Sequence, residues 1–237
     1  MKITDIKIYA AEYAQTSKSL TNKKWVFLKM ETDEGIHGWG EVGSSVNVSE
    51  NFMATAIKEV SPQLIGENPM DIDRLWNKLF RMFSYMGSRG FTTSLTAGFD
   101  IALWDIKGKV SGLPVYDLLG GRYRDPVRLY CNAWFTGCST PEEYAKAAKS
   151  NVVDNGHTAC KLDPFLEMTQ YHTMYQDGFI SEEGEQLGYD IVAAVREVVG
   201  PEVEILIDAH GHYNVPNAVR ISNNLYERFN IAWFEEP

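Results

Sequence analysis

Glu204-Ile205-Leu206-Ile207-Asp208-Ala209-His210 is a short aliphatic run that ends on two groups able to do chemistry. Its length and its aliphatic content predict a buried strand over 204–210. Downstream, Ala218, Ser222, Leu225 and Phe229 recur at helical spacing, and a second strand, Ile231-Ala232-Trp233-Phe234-Glu235, follows. Upstream, Leu187, Ile191, Val195 and Val198 mark another helix, preceded by a polar loop and the strand Thr158-Ala159-Cys160-Lys161-Leu162-Asp163. Earlier still, Thr140-Pro141-Glu142-Glu143 is a capping box with Pro at the first helical position, opening a helix to about Ser150. Before it, Val127-Arg128-Leu129-Tyr130-Cys131-Asn132-Ala133-Trp134 reads as a strand. Four strands thus alternate with three helices, which predicts a parallel sheet, either doubly wound or closed into a barrel.

Residues 1–126 follow a different rhythm. Strands are expected over 2–10, 25–32 and 37–42, the last two joined by the turn Asp33-Glu34-Gly35, giving a small antiparallel sheet. Helices are expected over 50–62, 71–87 and 91–111. The last carries Leu95, Phe99, Ala102, Ile106 and Val110 on one stripe and stops at Gly112, with Pro114 just beyond. Gly35-Ile36-His37-Gly38-Trp39-Gly40 looks like a phosphate-binding loop, but it joins two strands and opens no helix, so it reads as a turn. Trp76 and Trp104 read as core residues. The domain boundary falls between residues 1–126 and 127–237.

The 237 residues are 44% hydrophobic and 23% charged, with 22 Lys and Arg against 32 Asp and Glu and a formal net charge of −10. That is enough apolar mass for a globular core. The acidic balance, with no basic stripe, argues against nucleic acid and anionic membranes as partners and favours small solutes. Met1-Lys2-Ile3-Thr4-Asp5-Ile6-Lys7 alternates apolar and polar residues and is no secretory leader; no apolar run has the length of a membrane span, and a cytoplasmic location is expected. Three irregularly spaced cysteines, Cys131, Cys138 and Cys160, form neither a disulfide framework nor a zinc motif.

The chemically capable residues share one topological position. Lys161 and Asp163, Asp208 and His210, and Glu235 stand at the C-terminal ends of three consecutive predicted strands, where parallel α/β folds build their sites. One charged strand end is an ordinary solvated terminus; three in succession point to a site. Asp208 and Glu235 are hard oxygen donors suited to Mg²⁺, although two carboxylates are a minimal cage and the earlier strands show no third. Lys161 and Asp163, two apart, are expected on one face of their strand, as are Asp208 and His210. A lysine whose pKa is lowered by a nearby cation can act as a base and His210 as an acid, which suits proton abstraction beside a carboxylate followed by loss of hydroxide. Cys160 is expected on the opposite face, packed against a helix. His157 and His172 read as surface residues, and His212, past the strand end, is a weaker candidate than His210.

The stretch from Ala97 to Lys109, with Asp100-Ile101-Ala102-Leu103-Trp104-Asp105 at its centre, continues through Gly112-Leu113-Pro114 to Gly120-Gly121. It resembles the end of the capping domain in the mandelate racemase group of the enolase superfamily. Lys161-Leu162-Asp163-Pro164-Phe165, Ile207-Asp208-Ala209-His210-Gly211 and Trp233-Phe234-Glu235-Glu236-Pro237 are similar to that group's sugar-acid dehydratases of the gluconate and galactonate type. The resemblance covers essentially the whole chain. It implies an α/β fold: an N-terminal α+β capping domain followed by the first half of a modified (β/α)7β TIM-type barrel that ends at its fourth strand. It also implies Mg²⁺ held by carboxylates on three successive strands. Asp208 and Glu235, the first Glu of Glu-Glu-Pro, match the first two ligands, Lys161 the lysine of the second barrel strand, and His210 the histidine that assists hydroxide departure. Asp163 replaces the second lysine of the racemases' Lys-x-Lys, a substrate-binding position here, which disfavours a two-base racemase. Tyr13–Thr21 and Gly43–Val48 match loops that close over substrate.

The expected activity is Mg²⁺-dependent dehydration of a sugar acid to a 2-keto-3-deoxy acid. The expected partner is that small-molecule acid, with a homo-oligomer as the full-length assembly. A third ligand and the later acid and base residues are expected beyond Pro237, in a longer chain of which this is part. The alternatives are a racemase, epimerase or cycloisomerase of the same superfamily, a barrel aldolase using Lys161 as a Schiff base, and a non-catalytic remnant that binds a partner through an open sheet edge.

Overall fold

The computed structural model describes residues 1–12, 24–43, 50–85, 87, 90–169 and 178–237. Tyr13–Thr21, 44–48 of the second loop, and His172 lie outside the described residues. The chain divides into two compact units, Met1–Asp125 and Pro126–Pro237.

In the first unit, β1 (Ile3–Glu12), β2 (Lys24–Thr32) and β3 (His37–Glu41) form the expected antiparallel sheet in the order β1-β2-β3, with Ile8 opposite Leu28 and Leu28 opposite Gly40. Alternation sends Val26, Leu28 and Met30 into the core and leaves Lys7, Lys29 and Glu31 outside as an ion-paired row. The helices α1 (Glu50–Val60), α2 (Ile72–Met82) and α3 (Phe91–Ser111) contribute to the same apolar cluster, through Met53 and Ile57, Leu75 and Leu79, and Leu95, Phe99, Ala102 and Ile106. Val110 lies on the same stripe but in the last turn of the helix, where it is exposed. A short helix, α4 (Val115–Leu118), follows the left-handed Gly112 cap.

Two expectations here are corrected. The second helix ends at Met82 rather than near 87, in a turn where the Phe83 N–H bonds the Phe80 carbonyl. Trp76 is not core: the buried face of α2 runs through Ile72, Leu75 and Leu79, so Trp76 lies about 100° from Leu75, stacked on Phe80 at 5.0 Å. Trp104 does pack, partly buried, against the core.

The glycines of the false phosphate loop set the distance between helix and sheet. A Cβ on Gly40 would stand 1.8 Å from the Gly98 carbonyl oxygen, and one on Gly38 2.0 Å from that of Ala102. β3 is an edge strand whose outward groups are taken by α3 side chains: the Trp39 N–H donates to Asp105 at 2.8 Å and Lys109 donates to the His37 carbonyl at 2.8 Å.

In the second unit, α5 (Pro141–Ala148) opens with the expected capping box, Thr140 accepting from the Glu143 N–H and Glu143 accepting from the Thr140 N–H. Then come β4 (Ala159–Leu162), a short α6 (Leu166–Thr169), α7 (Glu182–Val199), β5 (Glu204–Asp208), α8 (Val215–Phe229) and β6 (Trp233–Glu235). The sheet is parallel in the order β4-β5-β6. Cys160, Leu162, Ile205 and Ile207 face a core built with Tyr144, Ile191, Val192, Val195, Ile221 and Leu225. On α8 the buried stripe is Asn217, Ile221, Leu225 and Phe229, displaced by one residue from the expected Ala218 and Ser222.

The fourth expected strand, 127–134, is reduced to one parallel bridge between Cys131 and Cys160. The Cys131 N–H reaches the Ala159 carbonyl and the Lys161 N–H reaches the Cys131 carbonyl, each at 2.9 Å. The ladder stops there because Ala133 adopts φ 57° and turns its N–H to the Asn132 side chain. The Lys161 carbonyl takes the Trp134 indole N–H instead, at 2.9 Å.

Gly40→Ala is expected to destabilise the protein by at least about 1–3 kcal/mol in urea denaturation, since backbone atoms must move to admit the methyl group. Gly43→Ala, with no atom of the described residues near its Cβ position, is expected to stay within about 0.5 kcal/mol of the parent.

Candidate active site

The pleat and the parallel register assemble the site. Because Cys160, Leu162, Ile205 and Ile207 face the helices, Lys161, Leu206 and Asp208 face the other side of the sheet, where Asp208 pairs in register with Glu235. Lys161 and Asp208 are 7% and 6% exposed, deep burial for charged groups. The Lys161 ammonium donates to Asp208 Oδ2 at 2.7 Å and to Glu235 Oε2 at 3.0 Å. Its Nζ also lies 5.6 Å from the centre of the Tyr130 ring, which Trp233 meets edge-on at 5.8 Å.

Burial works against the charged form of Lys161, but the hydrogen bonds it donates to Asp208 and Glu235 outweigh it and carry the pKa above the ordinary lysine value. The depression expected of this lysine belongs to a site in which a metal ion engages the two carboxylates. Cys160, on the far face as expected, is an inert thiol pushed up to about 12 by burial.

Asp163 and His210 reach the cluster by a different route from the one expected. Neither lies on a strand: β4 ends at Leu162 and β5 at Asp208, and His210 has φ 52°. The left-handed turn returns the His210 N–H to Asp208 Oδ1 at 3.2 Å and places its Nδ1 3.6 Å from the same oxygen and 3.7 Å from Asp163 Oδ2. Burial, only partly offset by His210, pushes the Asp163 carboxyl up to about 6. The Asp163 carbonyl is fixed by the Tyr144 hydroxyl, which donates to it at 3.1 Å. All five expected residues therefore meet at one end of the sheet.

Sequence reasoning missed Tyr130, Trp134 and Tyr144, which surround Lys161 and Asp163. Tyr130 and Trp134 sit in the stretch read as a regular strand, and Tyr144 follows the capping box. Nothing in their spacing distinguishes them from ordinary core aromatics.

Comparison with known proteins agrees with this architecture. Residues 5–120 match the model of the mandelate racemase/muconate lactonizing enzyme N-terminal domain, and residues 143–237 that of the enolase C-terminal domain-like fold. The chain belongs to this family. Its two units are a capping domain and part of the barrel.

The chain is 32% identical to a D-gluconate dehydratase of Thermoproteus tenax (98% of this chain, 47% of the relative) and 35% identical to a D-galactonate dehydratase of Pectobacterium atrosepticum (100% and 55%). It is 31% identical to a D-galactarolactone cycloisomerase of Agrobacterium fabrum (100% and 59%). A solved enolase-superfamily structure from Salmonella Typhimurium superposes with a TM-score of 0.81 at 33% identity, covering 100% of this chain and 61% of that one. The chain thus spans about half the length of the curated relatives it matches. No helix among the described residues is long and apolar enough to cross a membrane.

The donor set is compatible with Mg²⁺. Asp208 Oδ2 and Glu235 Oε2 are hard oxygens on adjacent strands that already converge on one cationic centre, the Lys161 ammonium.

Lys161→Met is expected to lower stability by about 3–5 kcal/mol at neutral pH, because it leaves Asp208 charged and buried without its cation. The double variant with Asp208→Asn is expected to recover part of that loss in a urea-denaturation cycle. The contribution of Lys161 is complete below its unfolded pKa of about 10.4 and declines as pH rises through the higher folded value.

Proposed function

We propose that the protein is a Mg²⁺-dependent dehydratase that removes water from a sugar acid to give a 2-keto-3-deoxy acid. The observation that carries this reading is the convergence of Lys161, Asp208, Glu235, Asp163 and His210 at the ends of adjacent parallel strands. Relatives named D-gluconate and D-galactonate dehydratase support it.

In this reading Asp208 and Glu235 hold Mg²⁺, which supplies the positive charge that acidifies the C–H bond beside the substrate carboxylate. With those two carboxylates engaged by the ion, burial would favour the neutral amine of Lys161, which would take the C2 proton. His210, exposed at the mouth of the cluster, delivers a proton to the departing C3 hydroxyl, so that water leaves and the resulting enol tautomerises to the keto acid. Asp163 binds a substrate hydroxyl. Tyr130 and Trp134 hold the lysine against the carboxylates through its side chain and its carbonyl.

A second reading is cycloisomerisation of a sugar-acid lactone, favoured by the Agrobacterium fabrum relative. The substrate separates the two, since a dehydratase consumes the open-chain acid and releases a keto acid.

Assay of the protein against a sugar-acid series is expected to show keto-acid formation that stops with EDTA and returns with Mg²⁺. Lys161→Ala and His210→Asn are each expected to lower kcat by about 10²–10⁴-fold. Turnover that survives chelation contradicts the proposal.

A further inference from the structure

Asp208 presents its two oxygens to two different groups. Oδ2 faces Lys161, which also bonds Glu235. Oδ1 faces His210, whose Nδ1 also faces Asp163 Oδ2. The first group is all oxygen around an ammonium. The second, Asp163, Asp208 and His210, brings one imidazole nitrogen and two carboxylate oxygens within 4.8 Å of one another.

The chemistry of the second group differs from that of a magnesium site. An imidazole nitrogen is a ligand for first-row transition ions, whereas Mg²⁺ takes oxygens and water. The spacing agrees. Zinc–nitrogen and zinc–oxygen bonds of about 2.1 Å in a tetrahedron put neighbouring ligand atoms about 3.4 Å apart, and Nδ1 of His210 lies 3.6 and 3.7 Å from the two carboxylate oxygens.

Two further features favour a cation at this position. Lys161 neutralises the Oδ2 side of Asp208, while the ion-pair partner of Asp163 among the described residues is His210. His210 is also preorganised, its left-handed backbone fixed by the bond from its own N–H to Asp208 Oδ1. Its side chain is 47% exposed, so an ion can enter and a water can complete the shell.

We propose that Asp163, Asp208 and His210 form a transition-metal site, selective for Zn²⁺ or Co²⁺ over Mg²⁺, on the Oδ1 side of Asp208 and separate from the Lys161 and Glu235 side. If the dehydratase reading holds, an ion there also removes His210 from its acid role, so Zn²⁺ inhibits. The binding inference stands without that reading and is tested without turnover.

The test titrates the metal-stripped protein with Co²⁺ and follows its visible d–d bands. One equivalent is expected to give the absorption of a four- or five-coordinate ion, to be displaced by one equivalent of Zn²⁺, and to persist in a large excess of Mg²⁺. Glu235→Gln is expected to keep the bands. Asp163→Asn and His210→Asn, the latter chosen because Asn tolerates the left-handed backbone, are expected to weaken binding at least about 100-fold. Absent bands, displacement by Mg²⁺, or bands lost with Glu235→Gln but kept with His210→Asn would overturn the proposal. Each of those outcomes leaves the dehydratase reading to its own assay.

Discussion

A lysine ammonium held between two carboxylates in a setting from which water is largely excluded is the interaction on which the second unit depends. Lys161 and Asp208 are both more than nine-tenths buried, and either alone would impose a desolvation cost of several kcal/mol. Together with Glu235 they are compensated, and the geometry that compensates them comes from the sheet. Parallel pairing of β4, β5 and β6 sets the strand ends side by side, and the pleat turns alternate residues towards the helices or away from them. A register slip of one residue would drive Lys161 into the aliphatic layer and expose Cys160 and Leu162. The apolar face and the charged face therefore specify the same register.

The first unit solves a different problem, close contact between a long helix and a narrow sheet. Gly38, Gly40 and Gly98 remove the side chains that would keep α3 off β3, while Asp105 and Lys109 bind the free edge of that strand. Within the stretch from Ala97 to Lys109, the small residues Gly98 and Ala102 face the sheet, and the charged pair sits one and two turns beyond Ala102 along the helix.

Much of this was legible in the sequence, because hydrophobic period and capping chemistry are local signals. The capping box at Thr140, the stripe from Leu95 to Ile106 and the three charged strand ends all follow from spacing. What was not legible depended on single backbone angles and on competition for single carbonyls. His210 and Ala133 are non-glycine residues at positive φ, and no pattern announces them. One turns an imidazole back onto Asp208; the other ends a strand that propensity alone would have continued. The charge state of Lys161 is not legible in strand spacing either, because its pKa answers to whatever occupies its two carboxylates.

The account as a whole rests on Asp208 Oδ2 and Glu235 Oε2 forming a cation position that Lys161 can fill or yield. Anomalous diffraction from crystals of the protein soaked in Mn²⁺, an ion of magnesium-like oxygen preference, tests this most directly. The predicted result is an anomalous peak between those two oxygens, with the Lys161 side chain displaced from both. No peak between those two oxygens, with the Lys161 bridge intact, would contradict it.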